Sequence, residues 1–459
     1  MKTEPKQESE LKQSIGVFGG SSILIGIMVG SGIFYIGSYV LERSNMSMGL
    51  ALLAWLIGGL VTLLGSLCFA ELGAMNPSTG GIYVYLSEAF HPVVGYMFSF
   101  QSMLLGGSGS IAALAVALPM ALKSFFPMSG GVVKIIAIAL IVIFTLVNYF
   151  GVDIGSKVQD FFTVVKVLPL ILIIFLGLFL GDYTPHLGVA QATAGLNIFE
   201  VIRMISFAVI ASLWAYEGWT NLNTVAGEMK EPQKNLPKAL ILSVGFTTIV
   251  YVLFNLAIYR SLSPEFITTS IQNGELYLGT NVAETFMGSF GNILVAATMV
   301  LAMLSSLNGM VLAFSRYAYA AAKDGLLWKT FGHIHDKYRT PDHSLWLQMV
   351  ISIILVMTRD LDQLTSLVVF AGAIFNLLSI IAVPVMRHKK PDAPRPYKVW
   401  GYPFTVILAI AAFLVILFSN LLDDPITSIL GLIVPLLGAV AYWYFKNKYQ
   451  APPTKGAQK

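Results

Sequence analysis

Charge is scarce in this chain of 459 residues. Asp, Glu, Lys and Arg together make up 11% of it, against about 25% in a soluble domain. Hydrophobic residues make up 56%, and the mean hydropathy is +0.75. Too little charge is present to coat a water-facing surface, which excludes the soluble globular class. Segments of about ten residues alternating in polarity, the mark of a membrane β-barrel, are also missing. The apolar runs are continuous and long enough to cross a bilayer as helices, so the expected class is all-α and polytopic. Cysteine is nearly absent. The single one, Cys68, lies in an apolar run and allows neither a disulfide framework nor a Cys/His metal cluster. The six histidines fall mostly in loops or at span ends without metal spacing, so no metal is expected. No GxxxxGK[ST] loop occurs, which argues against an ATP-driven pump. No cofactor is expected, and the net charge of +4 reflects loops and topology, not nucleic-acid binding. The first dozen residues, MKTEPKQESELK, lack the basic start, short apolar core and cleavage site of a signal peptide. The first span is therefore expected to act as its own insertion signal.

Hydropathy predicts twelve spans: 15–40, 48–73, 93–122, 132–150, 158–181, 201–224, 237–261, 284–322, 344–358, 364–386, 403–421 and 425–446. Polar tails, 1–14 and 447–459, flank them. Of the 28 Lys and Arg, 21 fall in one alternate set of connections and termini, six in the other, and Lys166 inside a span. The basic side of a multi-spanning protein is the cytoplasmic one, so both termini are expected inside, as an even span count requires.

Three features break the apolar pattern. "GIMVGSGIF", Gly26–Phe34, puts Gly26, Gly30, Ser31 and Gly32 in the middle of the first span, although each glycine costs a helix about 1 kcal/mol relative to alanine. Gly26-x-x-x-Gly30 has the spacing of close helix packing. Alternatively the helix unwinds at 29–32, and backbone N–H groups at the start of a half-helix face an anion such as a carboxylate. In the sixth span, "LWAYEGWTNLN" carries Trp214, Ala215, Tyr216, Glu217 and Thr220. Carbonyls freed by unwinding here could accept from an ammonium, while Glu217 is either functional or a structural partner of a buried group. Lys166, about eight residues into the fifth span, is a long way from either surface. A fixed internal cation contacting the breaks is favoured over snorkelling. Asn308, with Ser305 and Ser306 in the eighth span, hydrogen-bonds between helices or borders the site, and Glu71 reads as scaffold. The two breaks lie five spans apart. Paired broken helices in two inverted halves point to a secondary-transporter site, dividing the chain into repeats at 15–181 and 201–386 with two further helices over 403–446.

These residues resemble the amino acid–polyamine–organocation superfamily and, within it, the L-type amino acid transporters. The resemblance is carried end to end by "VGSGIF", "ELGAMNPSTGGIYVYLSEAF", "LWAYEGWTNLN", "GEMKEPQKNLPKAL", "NGMVLAFSRYAYAAAKDGLL" and "RPYKVWGYPF". It implies a leucine-transporter-type fold of twelve helices, a 5+5 inverted repeat plus two. It also implies Na⁺-independent exchange of amino acids by alternating access, here of small neutral L-amino acids across a bacterial plasma membrane. The alternatives are H⁺-coupled symport, or exchange of large neutral or cationic amino acids. The carboxylate would meet Gly30, Ser31 and Gly32. The ammonium would meet carbonyls of Met28 or Val29 and, in the sixth-span break, of Trp214 and Glu217, with Ala215 among the binding residues and the Trp214 ring as an aromatic gate. Tyr216, Thr220 and Asn308 would border the site. Lys166 would stand where Na⁺-coupled relatives hold an ion. An acid at Glu217, where large-neutral relatives carry glycine, could accept a cationic side chain. Animal members pair with a glycoprotein through an outer-loop cysteine; Cys68 lies within a span, so no disulfide-linked heavy subunit is expected. The partners implied are amino-acid substrates and the lipid bilayer.

Overall fold

A computed structural model describes residues 13–449 apart from 31, 79, 123–127, 191, 274–276, 359, 360 and 424. Most of both polar tails lies outside the described residues, and so does Ser31. The described chain is almost entirely helical and holds no strand beyond one isolated bridge, Ile15 to Met229. The helices are α1 (Val17–Met28), α2 (Gly32–Arg43), α3 (Met48–Met75), α4 (Ile82–Ala89), α5 (Pro92–Gln101), α6 (Gly107–Ala121), α7 (Gly130–Tyr149), α8 (Val152–Leu180) and α9 (Ile198–Tyr216). There follow α10 (Pro232–Ser261), α11 (Pro264–Gln272), α12 (Leu278–Met287), α13 (Ser289–Lys323), α14 (Asp342–Thr358), α15 (Leu361–Lys389), α16 (Phe404–Asp423) and α17 (Pro425–Tyr449). Among the described residues, seven helical segments are long and apolar enough to cross a membrane, and α1 with α2 forms an eighth, bent by 53°.

The predicted spans overlap these helices, with ends that differ by up to six residues, and three of them differ in internal structure or in where a neighbouring helix begins. The third is not one helix: five residues, Ser102–Gly106, wind as a π-turn between α5 and α6, a form that inserts one residue per turn and is found mostly as short bulges. The eighth begins at Ser289, not 284. Gly288 has φ +57°, a conformation open to glycine, and it ends α12 and redirects the chain into α13. The sixth continues past its break as a 3₁₀ segment, Asn221–Glu228.

Packing places α1 at the centre. It lies against α8, α10 and α13, while α3 packs on α9 and α10. Small residues permit the closest approaches. A methyl group at Gly26 would meet Gln159 Nε2 at 1.7 Å and Thr163 Oγ1 at 2.8 Å, so α1 and α8 touch there nearly backbone to side chain.

Ion pairs tie the elements at the end of the bundle that carries most Lys and Arg. Arg316 of α13 and Glu228 form a two-pronged pair at 2.8 and 3.0 Å, both side chains fully buried. The backbone of Glu228 accepts from Ser14 and Ile15 N–H at 3.0 and 3.1 Å, and Lys230 N–H returns a bond to Ile15 at 2.8 Å. The start of α1 is thereby latched to the chain below the sixth-span break. Glu71, read as scaffold, takes two bonds from Arg387 at 2.8 and 2.6 Å and one from Val399 N–H at 2.7 Å.

Candidate binding site at two broken helices

The helix formed by α1 ends at Met28. Val29 leaves helical geometry at ψ 75°, and α2 starts at Gly32. Helix α9 likewise ends at Tyr216. Glu217 has ψ 145° and Gly218 a positive φ of 101° before the 3₁₀ segment begins. The two breaks face each other. A methyl at Gly32 would lie 3.4 Å from Ala215 Cα, and one at Gly218 would strike the Ile27 side chain at 2.3 Å. At Gly218 glycine is therefore both a contact requirement and a source of backbone freedom, whereas a methyl at Gly32 would make an ordinary contact.

Breaking a helix frees carbonyls that must find donors inside a membrane. The structure supplies those donors from three neighbouring helices. Lys166 of α8, fully buried, donates from Nζ to the carbonyls of Gly26 at 2.8 Å and Val29 at 2.6 Å. Ser306 of α13 reaches Gly26 O at 2.9 Å and Ile27 O at 3.1 Å. The Tyr251 hydroxyl of α10 lies 2.8 Å from Met28 O and 2.8 Å from Ala215 O, one carbonyl from each break.

Several predicted acceptors are thus already engaged. Met28 O also receives Gly30 N–H at 2.9 Å, and Trp214 O receives Glu217 N–H at 3.2 Å. In this conformation Gly30 N–H turns inward, away from the role expected of it. The first turn of α2, beginning at Gly32, has N–H groups without partners inside the helix, the kind of donors an anion can take.

A cavity flanks the second break. Its walls include Gln101, Ser102, Glu217, Thr220, Phe314 and Asn376, from α5 and the π-turn, the second break, α13 and α15. About 50 Å³ of it is open to water-sized groups, room for roughly four. Glu217 is exposed to this space although it lies deep within the bundle. Gln101 Nε2 is buried without a hydrogen-bond partner, and it too borders the cavity.

Two residues expected near the site stand elsewhere, and a third, Trp214, links the two broken helices. Tyr216 is fully buried and donates to Trp55 O at 3.0 Å, its ring packed edge-on against Trp55 and tilted against Tyr251. Asn308 is fully buried in a polar network, donating to Gln159 Oε1 at 2.8 Å and Gly155 O at 3.1 Å and accepting from Asn148 at 3.0 Å. Trp214 donates from Nε1 to the Tyr35 hydroxyl at 3.3 Å, bridging α9 to α2. The sequence reading missed Tyr251, Gln159 and Thr163. Each is a polar residue set in an apolar run, which was the available signal. Thr163 donates to Ser22 O at 3.0 Å and Gln159 to Ser305 Oγ at 3.0 Å.

Comparison with known proteins agrees with this architecture. The family model for amino acid permeases matches residues 15–440. The chain is 32% identical to the serine/threonine exchanger SteT of Bacillus subtilis, covering 96% of this chain and 99% of that protein. It is 30% identical to the b(0,+)-type amino acid transporter 1 of Mus musculus, over 98% of this chain and 90% of the relative. It is 31% identical to the large neutral amino acids transporter small subunit 2 of Homo sapiens, over 95% and 82%.

Proposed function

The chain belongs to the amino acid permease family and is a membrane amino acid transporter, not an enzyme, and from that premise we propose that it is a Na⁺-independent exchanger of small neutral L-amino acids. One observation carries the reading. The carbonyls at the end of α1, a ready-made cation cage, already hold the Lys166 ammonium at 2.8 and 2.6 Å. A tethered cation that organises the break leaves no need for a diffusible one there.

The substrate fits between the breaks. Its carboxylate takes the first-turn N–H groups of α2, where the helix dipole favours an anion. Its ammonium takes the lone pairs left on carbonyls of the two broken segments. Its side chain enters the cavity by Glu217 and Thr220, whose small free volume favours short side chains. Exchange follows if the empty carrier reorients slowly. The substrate then supplies the contacts that let the two halves close. Both termini lie in the cytoplasm of a bacterial cell, since most Lys and Arg stand on their side.

Counterflow in proteoliposomes tests this. In choline buffer without Na⁺, vesicles loaded with alanine or serine should accumulate radiolabelled substrate well above empty vesicles. Equal uptake into both, or dependence on Na⁺, overturns the reading. The second reading is H⁺-coupled symport with Glu217 as proton carrier, favoured by its carboxylate facing the cavity. Concentrative uptake driven by a pH gradient into empty vesicles, lost in Glu217→Gln, would replace the first reading with this one.

A further inference from the structure

Away from the substrate cavity, the chain between α13 and α14 gathers three metal-ligating side chains. His333 follows a short 3₁₀ turn, Lys329–Gly332, and Asp342 and His343 open α14. One ligand atom from each residue lies within 4.8 Å of the other two. The sequence spacing conceals this, because the fold brings His333 back onto a pair nine residues later.

The hydrogen bonds orient both rings. A carbonyl oxygen can only accept, so His343 Nδ1, 2.7 Å from Thr330 O, carries the proton. The neutral ring then keeps a lone pair on Nε2. His333 Nδ1 lies 2.7 Å from Asp342 Oδ1, which also accepts His343 N–H at 2.9 Å. These two adjacent atoms, Nδ1 and Oδ1, are the ones the pair offers as ligands, and an ion would take the place of the proton between them. His343 is held as metal-binding imidazoles are, one nitrogen donating to a carbonyl and the other presented to the ion. The two rings stack at 4.5 Å and 24°. Asp342 is 8% exposed and His333 45%, so the carboxylate is fixed while one ring stays open to solvent.

We propose that His333, Asp342 and His343 form a binding site for a divalent transition-metal ion of the zinc class. Two imidazoles and one carboxylate suit such an ion, with water in the fourth position, whereas Ca²⁺ and Mg²⁺ call for oxygen ligands. Tetrahedral bonds of about 2.0–2.1 Å set ligand atoms roughly 3.3 Å apart, within the present spread, and the exposed His333 ring has the freedom to adjust. Lys329, Lys337 and Arg339 of the same loop are exposed, where solvent and salt screen their repulsion. Bound metal clamps the segment that follows α13 to the start of α14.

The test uses tag-free full-length protein in detergent or nanodiscs, titrated with Co²⁺ and then Zn²⁺. One equivalent of Co²⁺ should produce the intense visible bands of tetrahedral coordination, and Zn²⁺ should abolish them. His333→Ala and His343→Ala should each weaken binding by at least about tenfold, while His186→Ala and His388→Ala leave it unchanged. Because a variant could fail to fold, Zn²⁺ should also raise the unfolding temperature of wild type and not that of His343→Gln, compared at equal folded fraction. Absence of the Co²⁺ bands at large excess, or bands that persist in both alanine variants, overturns the proposal.

Discussion

Replacing Lys166 by methionine removes an ammonium while keeping most of its volume. Lys166 is fully buried and gives two charge-assisted bonds to α1, at 2.8 Å to Gly26 O and 2.6 Å to Val29 O. Gly26 O keeps the Ser306 hydroxyl at 2.9 Å. Val29 O has no such substitute among the described hydrogen bonds. An unsatisfied buried acceptor costs about 1–3 kcal/mol, and a bond to a charged group contributes roughly 1.5–3 kcal/mol. Burial of the ammonium is itself unfavourable, and its removal offsets part of this loss. A net change of about 2–3 kcal/mol in the population of the organised break corresponds to roughly 30- to 150-fold. Lys166→Met should therefore reduce counterflow by about that factor at subsaturating substrate, in liposomes matched for folded protein. Lys166→Arg should rescue little, because a planar fork cannot converge on two carbonyls as an ammonium does. Counterflow within twofold of wild type in Lys166→Met would refute the role given to this lysine.

Four further outcomes follow from the same geometry. Glu228→Gln leaves Arg316 buried without its counter-ion and should destabilise the fold by about 3–5 kcal/mol; thermal unfolding should show the double variant Glu228→Gln/Arg316→Met recovering much of the loss. Gly26→Ala drives a methyl into Gln159 Nε2 and should cost about 1–3 kcal/mol, with partial rescue by Gln159→Ala in the same unfolding assay. Tyr251→Phe strips a donor from Met28 O and Ala215 O and should lower the apparent substrate affinity more than the maximal exchange rate, read from initial rates over a substrate series. Tyr216→Phe removes the hydroxyl's bonds to Trp55 O and Thr248, both outside the cavity, and should leave substrate competition curves superimposed on wild type.

How much of this was legible in the sequence depends on what each feature costs. Both breaks were, because runs of small or polar residues are expensive in an apolar helix and must be compensated. Lys166 was legible for the same reason, as a charge too deep to reach water. The partners that make the breaks tolerable were not. Tyr251 reads as one aromatic among many in α10, and only the fold sets its hydroxyl between Met28 and Ala215. Asn308 carried a polar signal but no direction, and packing turned it toward Asn148 and Gln159, away from the cavity. The Glu228–Arg316 pair spans 88 residues of chain. Each charge was visible inside a recognisable motif, yet no local periodicity could join them. The π-turn at 102–106 leaves no mark in hydropathy, since its residues are as apolar as an ordinary helix requires.

Tyr251 has a consequence that follows from counting protons. Its hydroxyl lies 2.8 Å from two carbonyls, one on each broken segment, but it has only one hydrogen to give. At any instant one carbonyl holds the proton and the other faces an oxygen lone pair. Turned to Ala215 O, the hydroxyl leaves Met28 O with the Gly30 N–H at 2.9 Å; turned to Met28 O, it leaves Ala215 O without its hydrogen. A cation with several protons entering between the segments ends that rivalry by serving both. When the segments part, the hydroxyl leaves with one of them. The shortage at this single oxygen therefore gives vacancy and occupancy different energies without any other side chain having to move.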